Sequence, residues 1–166
     1  MGDDVHDVND SQSSVGSAGG KSAGLLKVEF SRPFFLVASK SGKVMDAKKM
    51  GAENGNGTQQ IQLWDKNGSE SQRWVLEADG SIANPASGRV IDVGDQAING
   101  AKIQLSDKSG SASQLWAFLA DGSIVNRATG MALDVAGGDH TNGALIQCWD
   151  HNRSSPAQLW HLEPFP

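Results

Sequence analysis

Apolar and polar residues alternate with a period of two through most of the chain after residue 33, in short segments separated by turn residues. Between residues 81 and 120, for example, the segments "SIANPA", "RVIDV", "AKIQLS" and "QLWAFLA" follow one another. Such alternation is typical of strands that bury one face, and no segment has the period of an amphipathic helix. The pattern predicts an all-β protein.

The same segments recur three times along the chain. Gln-x-Trp triplets begin at Gln72, Gln114 and Gln158, and each follows a copy of a second signature, "SGKVMDA", "SGRVIDV" or "TGMALDV". A third signature, "ADGSI", occurs at 78–82 and 120–124, and Asp-Gly between apolar runs predicts a hairpin turn. The chain therefore consists of three related units, each with about four strands.

Three units of four strands restrict the possible architectures. A propeller with such units needs at least about four blades, and an open solenoid needs polar caps. Three units that close on each other predict a β-trefoil of twelve strands with pseudo-threefold symmetry and one shared core. We place the repeats at approximately 34–80, 81–122 and 123–166, within a domain spanning 25–166.

The N-terminal residues differ in composition from the rest of the chain. Residues 1–24 are acidic and then rich in glycine and serine, which predicts a flexible tail. The formal net charge is −5, and no basic stripe follows, so we expect neither nucleic acid nor an anionic membrane surface as partner. No apolar run resembles a signal peptide or a membrane span. With Cys148 as the single cysteine, this favours a cytoplasmic protein, or one released by a non-classical route.

The alternation also assigns the five tryptophans to two faces. In "IQLW", Ile61 and Leu63 point to the core, and Gln62 and Trp64 point outward. By the same register Cys148 points inward, as a small buried hydrophobic residue. The triplet tryptophans recur in all units and are predicted to form a core layer: Trp74, Trp116 and Trp160. Trp64 and Trp149 remain as outward aromatic residues without a folding benefit.

An outward indole beside glutamine and aspartate suits a sugar. A pyranose ring stacks its C–H face on the indole, while its vicinal hydroxyls need a carboxylate acceptor and an amide. Such contacts are sufficient for millimolar binding of one monosaccharide, a free energy of about −4 kcal/mol. The sequence therefore predicts weak carbohydrate sites at the outward tryptophans.

The triplicated "QRW", "QLW" and "QLW", with "MDA", "IDV", "LDV" and "IQLW", "IQLS", "IQCW", resemble the ricin B-type (R-type) lectin family. The resemblance covers residues 34–166 and implies a β-trefoil whose units, named α, β and γ, bind galactose-like sugars. Carried onto this chain, it implies an α site at Asp46, Gln62 and Trp64 and a γ site at Asp134, Gln147 and Trp149. From their positions in this chain we add Asn67 to the α site, and Gly137 and Asn152 to the γ site.

The second unit departs from this pattern. It keeps Asp92 and Gln104 but has Ser106 at the platform position, so we predict a degenerate β site. Because Asp92 and Gln104 persist without an aromatic residue, the aspartate and glutamine also suit local turn hydrogen bonding, and that alternative stays open. We expect the γ site to be the stronger, since Gly137 stands three residues after its aspartate where the α site has Lys49.

The residue before each triplet glutamine also departs from the family, which usually has asparagine there. This chain has Ser71, Ser113 and Ala157. Asn67 and Asn152, three residues after the platform tryptophans, are the alternative sources of an amide contact. The disulfides common in secreted members are also missing.

Two other function classes, an enzyme and a protein-binding trefoil, have weaker support in the sequence. The histidines and carboxylates form no recognisable catalytic or metal-binding pattern, so we expect no enzyme activity, cofactor or metal. A β-trefoil that binds proteins, as an inhibitor or scaffold, is the alternative; it needs no tryptophan at positions 64 and 149. The sequence does not distinguish galactose from N-acetylgalactosamine, and it leaves the oligomeric state open.

Overall fold

The computed structural model describes residues 24–48 and 58–166, and within these ranges the chain is all-β, as predicted. Of the tail predicted at 1–24, residues 1–23 lie outside the described residues. The strands are β1 (Phe34–Ala38), β2 (Val44–Ala47), β3 (Gln59–Trp64), β4 (Val75–Leu76), β5 (Ile82–Asn84), β6 (Arg89–Asp92), β7 (Gln104–Asp107), β8 (Trp116–Phe118), β9 (Ile124–Asn126), β10 (Ala132–Val135), β11 (Ile146–Trp149) and β12 (Trp160–Pro164). Short 3₁₀ helices span Glu70–Gln72, Ala112–Gln114, Ala136–Gly138 and Pro156–Gln158.

Each repeat contributes four consecutive strands, β1–β4, β5–β8 and β9–β12. The outer strands of neighbouring repeats pair antiparallel, β4 with β5, β8 with β9 and β12 with β1, and close the ring. The inner strands form three hairpins, β2–β3, β6–β7 and β10–β11. This is the predicted β-trefoil with pseudo-threefold symmetry.

The Asp-Gly turns predicted from "ADGSI" lie between repeats. Gly80 joins β4 to β5 at φ 98°, and Gly122 joins β8 to β9 at φ 94°. In each turn the aspartate Oδ1 accepts the backbone N–H of the following serine, from Ser81 to Asp79 and from Ser123 to Asp121, both at 2.9 Å. The hairpin prediction is confirmed, and these turns connect neighbouring repeats.

Replacing Gly122 by alanine is expected to lower the free energy of unfolding by about 2–3 kcal/mol. Its φ is in the left-handed region, and a Cβ atom there would lie 3.2 Å from the Trp160 carbonyl oxygen. Gly42→Ala is the matched control, because φ is +75° but nothing lies within 4 Å of the added atom. The control should lose only about 1 kcal/mol. Urea denaturation of both variants measures the difference, and equal losses would contradict the close approach.

The core is shared by all three repeats and includes a layer of indoles. Trp74 and Trp116 are fully buried and Trp160 is 4% exposed, whereas Trp64 and Trp149 are 38% and 42% exposed. The three buried indoles each donate a hydrogen bond from Nε1 to a strand carbonyl, at Met45 (3.0 Å), Ile91 (3.0 Å) and Leu133 (3.1 Å). The predicted division of the tryptophans is confirmed, as is the inward position of Cys148.

The segment before β1 packs against the boundary between the second and third repeats. Leu25 bridges Leu119, and the Leu26 N–H donates to the Phe118 carbonyl oxygen at 2.8 Å. Val28 is buried in the main core. In the described ranges, no helix has both the length and the apolar character needed to cross a membrane.

Candidate functional site

The three inner hairpins place an aspartate opposite a glutamine at equivalent positions. Antiparallel register pairs Asp46 with Gln62 in β2–β3, Asp92 with Gln104 in β6–β7, and Asp134 with Gln147 in β10–β11. Directly paired residues point to the same face of a hairpin, and so does the residue two positions after each glutamine. That residue is the exposed indole of Trp64 or Trp149 in two hairpins, and Ser106 in the third.

The triplet glutamines orient these aspartates. The Nε2 atoms of Gln72, Gln114 and Gln158 donate to the carboxylates of Asp46 (2.9 Å), Asp92 (3.0 Å) and Asp134 (3.0 Å), respectively.

Each of these glutamines makes two further kinds of hydrogen bond. Its Nε2 donates to the backbone carbonyl of the residue after the platform position, and its Oε1 accepts a backbone N–H from the next loop. The triplet glutamines are almost completely buried, so a fully bonded side chain fixes each carboxylate in place.

At the third hairpin the predicted residues line one pocket of about 400 Å³. Its wall includes all five residues of the predicted γ site, namely Asp134, Gly137, Gln147, Trp149 and Asn152. The 3₁₀ helix Pro156–Gln158 and the loop after β10 complete the wall. The structure thus brings the predicted γ residues together, while their assignment as sugar contacts stays a prediction.

Asp134 lines this pocket and is 7% exposed. Its Oδ1 accepts a hydrogen bond from Gln147 Nε2 and its Oδ2 accepts one from Gln158 Nε2, both at 3.0 Å. A carboxylate has about four lone-pair sites, so two acceptor positions remain for hydroxyl groups. The side-chain bond from Gln147 has no counterpart at Gln62 or Gln104 within the described part of the chain.

Asn152 and Gly137 both line the pocket wall. The Asn152 Oδ1 accepts the Ser154 N–H at 3.0 Å, and its Nδ2 has no protein partner among the described residues. Gly137 has φ 65°, and a Cβ atom there would meet nothing within 4 Å, so its backbone borders open space. An amide donor and an uncovered backbone therefore face the pocket together with the carboxylate and the indole.

The second repeat supports the Trp149 platform. The Gly100 N–H donates to the Cys148 carbonyl oxygen at 2.9 Å, and a Cβ atom on Gly100 would lie 3.8 Å from Trp149 Cζ3, so this backbone runs beside the platform residue. Next to it, Asn99 Nδ2 donates to Asp150 Oδ2 at 3.0 Å, and the Asp150 N–H donates to Asn99 Oδ1 at 2.7 Å. The indole is thus held by a neighbouring repeat while much of its surface stays exposed.

The α site has the same framework on the first hairpin. Asn142 of the third repeat accepts the backbone N–H of Asp65, the residue after Trp64, and donates to the Asp65 carboxylate. Asn99 makes the same two bonds to Asp150. Asn67 uses its Oδ1 to accept the Ser69 N–H at 2.9 Å. Residues 49–57 lie outside the described residues, so Lys49, on which the predicted ranking of the two sites rests, has no structural account.

The β hairpin lacks an aromatic platform. Ser106 pairs with Val90 in register, and Asp92 Oδ1 accepts the Gly94 N–H at 2.6 Å. Its Oδ2 accepts the Gln114 amide. At this repeat the aspartate stabilises the turn after β6, which is the alternative role left open by the sequence.

Two basic side chains that the sequence did not assign to the site border the γ pocket. Lys40 comes from the β1–β2 turn of the first repeat, and His140 from the loop after β10. His140 Nδ1 lies 3.2 Å from Ser41 Oγ, and its Nε2 is buried without a hydrogen-bond partner. Burial and the nearby Lys40 ammonium lower the pKa of His140, against the opposing charge of Asp139. The described residues contain no cluster of three or more histidine, cysteine or carboxylate side chains suited to a metal ion.

Comparison with known proteins places this framework among lectins. A family model, the ricin-type beta-trefoil lectin domain, matches residues 33–162. Among curated proteins, no sequence matches the chain.

Solved structures with the same architecture include a designed 3-fold symmetric protein, ThreeFoil. It is 29% identical with a TM-score of 0.68, and the match covers 78% of this chain and 96% of that one. An exo-beta-1,3-galactanase from Clostridium thermocellum is 29% identical with a TM-score of 0.69, covering 84% of this chain but 32% of that chain. The earthworm R-type lectin C-half in complex with GalNAc is 20% identical with a TM-score of 0.66, covering 80% and 98%.

Proposed function

Because the chain belongs to the ricin-type β-trefoil lectin family, we propose that it is a non-catalytic module that binds galactose-like sugars at its γ and α sites. The observation that carries this proposal is the γ pocket. It combines a 42%-exposed indole, a buried carboxylate held by two amides and an asparagine Nδ2 that has no partner among residues 24–48 and 58–166. These are the groups that a sugar ring and its hydroxyls require.

In the proposed complex the apolar face of the sugar lies on Trp149. Two neighbouring hydroxyls donate to the carboxylate of Asp134, whose position is set by Gln158 and Gln147. Asn152 Nδ2 donates to a ring substituent. Charge-assisted hydrogen bonds contribute about 1.5–3 kcal/mol and stacking about 0.5–1.5 kcal/mol, so each site binds a monosaccharide weakly. Terminal galactose or N-acetylgalactosamine of a glycan is the proposed ligand.

The proposal assigns no catalysis to the pocket. Glycoside hydrolysis ordinarily uses two carboxyl groups that flank the scissile bond. Among the described residues that line the γ pocket, Asp134 is the single carboxylate, and both of its oxygens are engaged by amides. Two weak sites on one rigid body instead favour binding to multivalent glycans, where linked engagement raises avidity by about 10²–10⁴.

We expect the protein to bind two galactose molecules per chain, at γ and α, with the tighter affinity at γ. The β site should stay empty because Ser106 offers no platform. Calorimetry counts the sites, and NMR titration locates them by the shifts of residues around Asp134 and Asp46.

The Trp149→Ala variant serves as control and should weaken binding at γ alone, so that the α site becomes the tighter one and the shifts around Asp46 appear first in the titration. A stoichiometry of three, or shifts centred on Asp92 and Gln104, would contradict the role given to the indole. No binding of galactose, N-acetylgalactosamine or a glycan array would instead favour the protein-binding trefoil.

A further inference from the structure

The γ pocket is bordered by a lysine that the threefold pattern of the chain does not explain. Lys40 lies in the turn between β1 and β2, two residues before a glycine. The equivalent positions before Gly88 and Gly130 are Ala86 and Ala128. Of the three turns, the one that reaches the γ pocket therefore carries an ammonium group that folding does not require.

The Lys40 side chain is exposed, lines the pocket, and forms no hydrogen bond or ion pair within the described ranges. Lys43 and Lys66 of the same repeat, by contrast, form ion pairs with Asp65 and Glu163. An unpaired ammonium beside a concave polar site is available to a ligand.

The charged groups that line this wall lie on different elements, Lys40 on the β1–β2 turn and Asp134 on β10. The Lys40 charge also contributes, after burial, to lowering the pKa of His140 in the same wall. Asp139 lies near His140, but it accepts from the N–H and hydroxyl of Thr141 and does not line the pocket. The carboxylate of Asp134 is bonded to two glutamine amides. The pocket thus has a hydroxyl-accepting side at Asp134 and a cationic side at Lys40.

We propose that the γ pocket prefers a galactose-like sugar that carries an anionic substituent, a sulfate or a carboxylate, placed against Lys40. This rests on the proposed function of the γ site, because the sugar ring uses Trp149 and Asp134 in the same way. The α site lacks such a group from the equivalent turn, where Ala86 stands, so the preference belongs to γ alone. The protein has a formal net charge of −5, which opposes non-specific attraction of anions.

The test is a calorimetric titration in a Trp64→Ala background, which removes the α platform. The probes are methyl galactoside, galactose 6-sulfate and galacturonic acid. We expect at least one anionic probe to bind about tenfold more tightly than methyl galactoside, and the preference to weaken as salt is raised. The two anionic probes distinguish a sulfate from a carboxylate as the favoured group.

The Lys40→Ala variant should lose this preference and keep its affinity for methyl galactoside. Lys27→Ala is the matched control, since it removes the same charge from an exposed side chain that does not line the pocket. Equal affinities for neutral and anionic probes, or a preference that survives Lys40→Ala, would overturn the inference and leave the proposed function intact. Failure of all three probes to bind would overturn both.

Discussion

Replacing Trp116 by alanine is expected to lower the free energy of unfolding by about 3–5 kcal/mol. Its indole is fully buried in the shared core, and its Nε1 donates to the Ile91 carbonyl oxygen, which would be left without that bond. A domain of ordinary stability has about 5–15 kcal/mol in total, so the variant should be marginally folded. Urea denaturation followed by circular dichroism measures the loss.

Trp149→Ala is the control for the same chemical change on the outer face. Its indole is 42% exposed, so we expect a loss of less than about 1 kcal/mol of stability. Galactose affinity at γ should fall about three- to tenfold, the value of one stacking contact. A Trp149→Ala variant as unstable as Trp116→Ala would contradict the assignment of the two faces to binding and folding.

Replacing Asp134 by asparagine is expected to weaken sugar binding at γ by roughly 10- to 100-fold. The substitution conserves shape but removes the charge that accepts from Gln147, Gln158 and, in the proposed complex, sugar hydroxyls. It also presents an amide donor to two other donors, which should lower the free energy of unfolding by about 1–3 kcal/mol. Calorimetry and urea denaturation separate the two effects.

Asp92→Asn is the matched control, because Asp92 stands at the equivalent hairpin position and its carboxylate accepts two hydrogen bonds, from Gln114 and from the Gly94 N–H. It should lose similar stability and leave sugar affinity unchanged. If Asp134→Asn lost stability without losing affinity, the aspartate that recurs in all three repeats would stabilise its turn and take no part in sugar binding. If Asp92→Asn weakened binding, the β repeat would be a functional site.

Much of this architecture follows from local patterns. Period-two alternation assigned Ile61 and Leu63 to the core and Trp64 to the surface, because side chains of a strand alternate regardless of what the strand packs against. The Asp-Gly turns likewise act through backbone torsion within a few residues. Three in-phase copies then required closure, and the β-trefoil with its layer of buried indoles followed.

The pairing of Asp134 with Gln147 can also be predicted from the sequence, since a hairpin of known register fixes which residues face each other. The role of the triplet glutamines cannot be predicted in this way. Gln158 lies 24 residues from Asp134 in sequence, and their hydrogen bond depends on how a loop folds back over its own hairpin. No periodicity in the sequence encodes that distance.

The sequence by itself determined the repeat, the strand faces and the change at Ser106, because each of these depends on short-range geometry or on comparison between copies. Only the tertiary structure decided which repeats cooperate at a site. The Gly100 backbone runs beside Trp149, and Lys40 borders a pocket built mainly by the third repeat. Ser41 and His140 meet across 99 residues. Such contacts arise when the ring of repeats closes, since closure sets neighbouring loops side by side whatever their separation along the chain.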